Sequence, residues 1–287
     1  MAGNKRTWEG KVVPPSQENT DMATLEQQTP IISLFGYFRT ELEQHHDRRE
    51  RVIKASRDIT ALSKKIIFAL HRIRNLGGAI PKNIAKENTE RFAQIDALFK
   101  SLVPDLSGIN AWRYEYQITW GIQEYIEALS FQYYAENQRL ISLDAVRGSL
   151  PPEILVTETD YVLGLFDLTG ELMRFAITNI GKGGPRSQTS LAGANVDGSG
   201  EAAQSNLVSE SAAEGIMVDL RELRAMFEKL NVPRGHSLNK ELAKKMEVMQ
   251  ASVEKVEQAA YGFLIRGRER PQGWIPDVSS AAPVESY

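Results

Sequence analysis

There is no cysteine among these 287 residues, and there are only four histidines. The first absence excludes disulfides, thiolate metal sites and a cysteine nucleophile, and it agrees with a reducing compartment. The second leaves little room for imidazole chemistry. His45 and His46 lie in a charged stretch, His71 near an expected helix end and His236 in a linker, so none is spaced as a general base and none is assigned a role. No run approaches the roughly 20 apolar residues of a membrane span. The stretch MAGNKRTWEGKVVPPSQENT lacks the apolar centre of a secretory signal, so a soluble intracellular chain is expected. Strand-like alternation of useful length and internal repeats are missing as well. Positive charge is not in excess either: the net charge is -3 and the pI about 5.9. A protein that holds nucleic acid by phosphate contacts alone is usually basic throughout. Any such binding must therefore come from a local face or from a partner chain.

What is present is helical periodicity. Hydrophobic residues make up 42% of the chain, enough to bury a sizeable core. Residues 1–29 are polar, aperiodic and carry Pro14 and Pro15, which reads as a disordered arm. From Ile31 to about Leu76 the pattern is helical, with Val52, Ala55, Ile59, Leu62, Ile66, Ala69 and Ile73 forming an a/d seam. Lys54, Arg57, Lys64, Lys65 and Arg72 fall together on the opposite side, a candidate RNA-binding face whose plain alternative is a solvated one. Gly77, Gly78 and Pro81 should end this helix. A second helix is expected over about 83–102, burying Phe92, Ile95, Leu98, Phe99 and Leu102, with Pro104 after it.

A third helix, about 110–138, carries Trp112, Tyr116, Trp120, Tyr125, Phe131, Tyr133 and Tyr134; aromatics at helical spacing usually belong to a core. Ser142 can cap a short helix, and Thr157 with Asp160 forms a capping box for a fifth helix running to about Ile180, with Gly181 as its left-handed cap. Residues 181–213 are Gly-, Ser- and Ala-rich and read as a disordered insertion. Helices resume at about 215–230 and 238–265, the last capped by Ser237 and ended by Gly267, and 271–287 form a loose tail. The expectation is all-α: one bundle of about seven helices within 30–270.

Two helices carry acidic pairs. Glu124 and Glu127 are three apart, and Asp167 and Glu171 four apart, so each pair shares a helix face. The second pair sits in YVLGLFDLTGELMRF, which is apolar nearly all round, as buried helices are. Carboxylates there are unfavourable unless paired, hydrogen-bonded or bound to a cation. Gly164 and Gly170 flank them, each costing a helix interior about 1 kcal/mol relative to Ala, so something nearby requires room. A site of oxygen ligands only suits Mg²⁺ or Mn²⁺ rather than Zn²⁺, and phosphodiester hydrolysis is the chemistry such a site serves. The plainer readings are a solvated acidic face for Glu124/Glu127 and internal salt bridges for Asp167/Glu171, to Arg174 or to the basic helix. Asp160 is explained by the capping box.

Four ordered segments resemble the translin/TRAX family, on its TRAX side. They are SRDITALSKKIIFALHR (56–72), GIQEYIEALSFQYY (121–134) continued by RLISLDAV (139–146), DYVLGLFDLTGELMRFAI (160–177) and VEKVEQAAYGFLIRGRERP (253–271). The resemblance implies a seven-helix translin-like fold and assembly with translin into a closed hetero-oligomer. It also implies a Mg²⁺-dependent endoribonuclease that cuts single-stranded RNA, in passenger-strand removal during RNA silencing and in processing of small RNAs such as tRNA fragments. Carried over by motif, the metal-binding catalytic residues are Glu124, Glu127, Asp167 and Glu171. Cytoplasm and nucleus are the implied compartments, although the N-terminal arm offers only Lys5, Arg6 and Lys11 as an import signal. The competing reading is a scaffold subunit that binds nucleic acid without cutting it. A di-iron bundle would need two Glu-x-x-His motifs, and only Glu43–His46 has that spacing.

Overall fold

The computed structural model describes residues 30–74, 76–180, 215–233, 235 and 238–266. The expected arm at 1–29, insertion at 181–213 and tail at 271–287 lie outside them, as do the expected caps Gly181 and Ser237 and the stop at Gly267. The described residues are helical, with no strand among them. The elements are α1 (Pro30–Leu70), α2 (Lys82–Leu106), α3 (Asn110–Arg113), α4 (Glu115–Asn137), α5 (Leu143–Gly148), α6 (Glu158–Ile180), α7 (215–227) and α8 (Leu238–Arg266). None of them is long and apolar enough to cross a membrane.

By contact pattern the chain falls into two units, Met1–Arg51 and Val52–Tyr287. In the first, no described residue is buried. Ile31, Leu34, Phe35, Phe38 and Leu42 recur at helical spacing and are all exposed, so this stretch has an apolar stripe and no core of its own.

The second unit holds the core. Val52, Ala55, Ile59, Ile66, Ala69 and Ile73 of the expected seam are buried and Leu62 is partly so. α6 is buried along most of its length and packs against both α4 and α8. The helices approach closely where side chains vanish. A Cβ on Gly121 would lie 3.0 Å from the Ser56 carbonyl oxygen, and the Gly121 N–H donates to Ser56 Oγ at 3.2 Å. A Cβ on Gly164 would lie 2.7 Å from Ile126 Cγ2 and 3.1 Å from the Gln123 carbonyl oxygen. These two glycines seat α4 directly on α1 and on α6. Gly170 meets nothing within 4 Å, so the expectation that it too makes room is corrected.

Three boundaries differ from the sequence expectation. α1 stops at Leu70 instead of Leu76, because the N–H groups of Arg72 and Ile73 donate to the carbonyls three residues back and tighten the chain. Pro104 lies inside α2, in its last turn, where buried Leu102 and Leu106 anchor the helix around it. The expected third helix is broken at Tyr114 into the single turn α3 and the long α4, which raises the count of described helices to eight. The two expected caps within the described residues form: Ser142 accepts the Ala145 N–H at 3.2 Å, and Thr157 and Asp160 exchange bonds at 3.1 and 3.3 Å. Buried Asp160 also accepts from Thr119, and from Gln123 at 3.1 Å, so it ties the start of α6 to α4.

Candidate active site

Both acidic pairs face the same region, and the crossing at Gly164 is the reason. Gly164 sits three residues before Asp167 on α6, and its neighbour Ile126 lies between Glu124 and Glu127 on α4. Glu127 is 7% exposed and Glu171 is buried as well, while Glu124 and Asp167 are half-buried. Burial holds the Glu127 carboxyl well above the ordinary carboxylate range, and the charges of Asp167, Glu124 and Glu171 push it further. Burial also raises Glu124 and Asp167, against the opposing pull of Lys64 on the first and Lys245 on the second. The four carboxylates therefore feel one another.

Three of them hold cations. Lys64 Nζ of α1 lies 3.2 Å from Glu124, and Lys245 Nζ of α8 bonds Asp167. Glu171 accepts from Arg174 at 2.8 Å on one oxygen and from His71 Nε2 on the other; a carboxylate only accepts, so this ring nitrogen carries the proton. Of the bridges the plainer reading names for Asp167 and Glu171, the one to Arg174 forms; Asp167 pairs with Lys245 of α8 instead, and the basic helix reaches Glu124, which is therefore not a merely solvated acid. Glu127 is the exception. Its side chain makes no hydrogen bond or ion pair with any described residue, although it is buried among three other carboxylates, and the cation that pulls against them, Lys245, is paired with Asp167. Among the described residues, no three acidic or histidine side chains converge tightly enough, as positioned, to hold a metal ion.

His71 corrects the expectation that no histidine takes part. α1 ends one residue before it, and the ring lies 5.1 Å from Phe131 and 6.5 Å from Phe175, boxed between α4 and α6 with Glu171 as its hydrogen-bond partner among the described residues. With Arg174 it fixes both oxygens of that carboxylate. Were these carboxylates to hold a divalent cation, His71→Gln should leave the helical content unchanged and weaken its affinity about 10- to 100-fold, the usual cost of losing such a supporting bond. Calorimetric titration with Mg²⁺ checks this, and an unchanged affinity would remove His71 from the site.

The basic face is less uniform than the spacing suggests. Lys54, Arg57, Lys64 and Lys65 are exposed on α1, but Arg72 lies beyond the end of the helix and pairs with Glu87 at 2.7 Å. Lys64 is turned to Glu124.

Known proteins resemble this chain over most of its length. A profile of the Translin family matches residues 47–267. The chain belongs to the Translin family. Within it, the chain is 30% identical to translin-associated protein X of Pongo abelii, over 93% of this chain and 89% of the relative. It is 30% identical to the translin-associated protein X homolog of Schizosaccharomyces pombe, over 88% and 95% respectively. Among solved structures, apo-NeC3PO superposes with a TM-score of 0.54 at 18% identity, covering 84% of this chain and 99% of that one. AfC3PO gives 0.50 at 20%, covering 80% and 97%. These structures share the translin fold of this chain.

Proposed function

We propose that this Translin-family chain is the catalytic subunit of a hetero-oligomer with translin, hydrolysing phosphodiester bonds of single-stranded RNA with Mg²⁺ or Mn²⁺. The observation that supports it best is Glu127. A buried carboxylate with three acidic neighbours and no cation of its own is unfavourable in a protein interior, and a bound divalent ion resolves that imbalance. Oxygen-only donors fit a hard cation, so Glu124, Glu127, Asp167 and Glu171 would hold it. When bound, the ion supplies Lewis acidity at the scissile phosphate. Lys64 and Lys245 flank the carboxylates and are placed to balance phosphate charge, while His71 and Arg174 keep Glu171 oriented. The family resemblance extends the reading to passenger-strand removal and to processing of small RNAs and tRNA fragments, in cytoplasm and nucleus.

The scaffold reading has one observation in its favour: the ion pairs on Glu124, Asp167 and Glu171 are those of a structural network. Asp167→Asn and Glu171→Gln in the complex with translin separate the two. The catalytic reading expects intact complexes whose RNA cleavage in Mg²⁺ falls by orders of magnitude; exposed Arg174 and part-exposed Lys245 are solvated once released. Breaking a structural buried pair instead costs about 3–5 kcal/mol, and the complex would come apart. Intact complexes that cut at the wild-type rate would leave the scaffold reading standing.

Assembly follows from the first unit. Its stripe of Ile31, Leu34, Phe35, Phe38 and Leu42 is exposed at helical spacing, and contiguous exposed apolar residues mark interaction surfaces. Expressed alone, the chain should aggregate or self-associate, and co-expression with translin should yield a defined complex by light scattering. A monodisperse monomer at micromolar concentration would contradict this.

A further inference from the structure

The side of α4 that runs up to Glu124 is aromatic and open. Tyr116 and Trp120 are 73% and 53% exposed, whereas Tyr125, Phe131 and Tyr134 of the same helix are buried. The expectation that the aromatics of this helix form core holds for its second half and fails for its first. Tyr116, Trp120 and Glu124 follow at steps of four, one per helical turn, so they share a side of the helix. Trp112 on α3, also exposed, precedes them.

α1 borders this stripe with a cation. Ser56 lies against Gly121, next to Trp120, and Lys64 reaches Glu124. Arg57 follows Ser56 and precedes Lys64 by two helical turns, which places it on the side of α1 that Lys64 presents to α4. Its side chain is exposed and makes no hydrogen bond or ion pair with any described residue.

We propose that Tyr116 and Trp120 form a base-stacking platform that leads a single strand of RNA into the carboxylate cluster, with Arg57 on its phosphates. The proposal rests on the ribonuclease reading and names the residues that deliver the substrate. A single strand matches this surface in both respects: unpaired bases offer flat faces to aromatic rings, and the backbone offers charge to a guanidinium. A protein partner laid over the same stripe would bury Arg57 and the Lys64–Glu124 pair at a desolvation cost. A duplex has no free base faces to stack.

The test uses the chain co-purified with translin, in EDTA so that nothing is cut. The probes are a labelled oligoadenylate and a ribose-phosphate strand of equal length without bases. Tyr116→Ala and Trp120→Ala should each raise the dissociation constant for oligoadenylate about five- to a hundredfold, leave the baseless strand unaffected, and be largely rescued by Trp120→Phe and Tyr116→Phe. Arg57→Ala should weaken both probes and reduce the salt slope by about 0.7. An intact alanine complex with unchanged oligoadenylate affinity overturns the proposal, and so does equal loss on both probes. A complex that dissociates on alanine substitution makes the stripe a subunit interface and overturns it too. Should the alanine chains fail to fold, the wild type still decides, since equal affinity for the two strands excludes stacking. A wild-type complex that binds neither strand fails the ribonuclease reading itself.

Discussion

Glutamine in place of Glu127 should give a complex that assembles, melts higher without metal and no longer cuts RNA. The substitution keeps the shape of the side chain and breaks no ion pair with a described residue. What it removes is negative charge from a buried position among Asp167, Glu124 and Glu171. The sign of the stability effect follows from linkage. The folded carboxyl titrates above its ordinary value of 4.5, so between that value and the raised one the folded chain binds more protons than the unfolded chain. Stability therefore falls as pH rises through this window. Wild-type metal-free complex should accordingly lose melting temperature from mildly acidic to neutral pH, and the variant should lose less. At neutral pH the variant should melt a few degrees higher, the shift that about 1 kcal/mol produces in a chain of this size. Adding Mg²⁺ should reverse the order, since only the wild type retains all four ligands. Cleavage should fall at least about 100-fold. A variant that melts lower without metal, or cuts at the wild-type rate, would take Glu127 out of the account.

The second large effect is expected at Gly164. Alanine there places a methyl group 2.7 Å from Ile126 Cγ2 and 3.1 Å from the Gln123 carbonyl oxygen, so α4 and α6 must separate. Overpacking of this kind typically costs about 1–3 kcal/mol. The shift also moves Glu124 and Glu127 relative to Asp167 and Glu171, and a misplacement near 1 Å can cost about 100-fold in rate. Gly170 is the control on the same helix. It faces open space, and Gly170→Ala should stabilise by about 0.5–1 kcal/mol through helix propensity with activity retained. Thermal melts and single-turnover cleavage of both variants measure this contrast. Equal behaviour of the two would mean that the α4–α6 crossing does not position the site.

The pair of glycines also shows what could be read from the sequence and what could not. All-helical architecture, the buried seam from Val52 to Ile73, the capping box at Thr157 and Asp160, and the helical spacing of both acidic pairs depend on local pattern, and all were legible. Gly164 and Gly170 look alike in one dimension, each an unfavourable residue in an apolar helix. Only the crossing partner distinguishes them, and Ile126 is 38 positions away from one of them in the chain. His71 was missed for a related reason. It lies 100 residues from Glu171, and a position near an expected helix end does not show which way the ring turns, whereas the observed stop at Leu70 directs it to α4 and α6. Lys245 sits among other cations of α8 at a spacing that looks merely solvated. The exposure of Trp112, Tyr116 and Trp120 was invisible as well, because aromatic residues at helical spacing have the same pattern whether they face a core, a partner or water.

The most direct test of the central claim is cleavage of a labelled single-stranded RNA by the complex with translin in Mg²⁺, in EDTA, and after Mg²⁺ is restored, with the Glu127→Gln complex beside it. The account predicts cutting in Mg²⁺, none in EDTA, recovery on restoration, and silence from the variant throughout. Undiminished cutting in EDTA, intact RNA in Mg²⁺, or a variant that matches the wild type would contradict it.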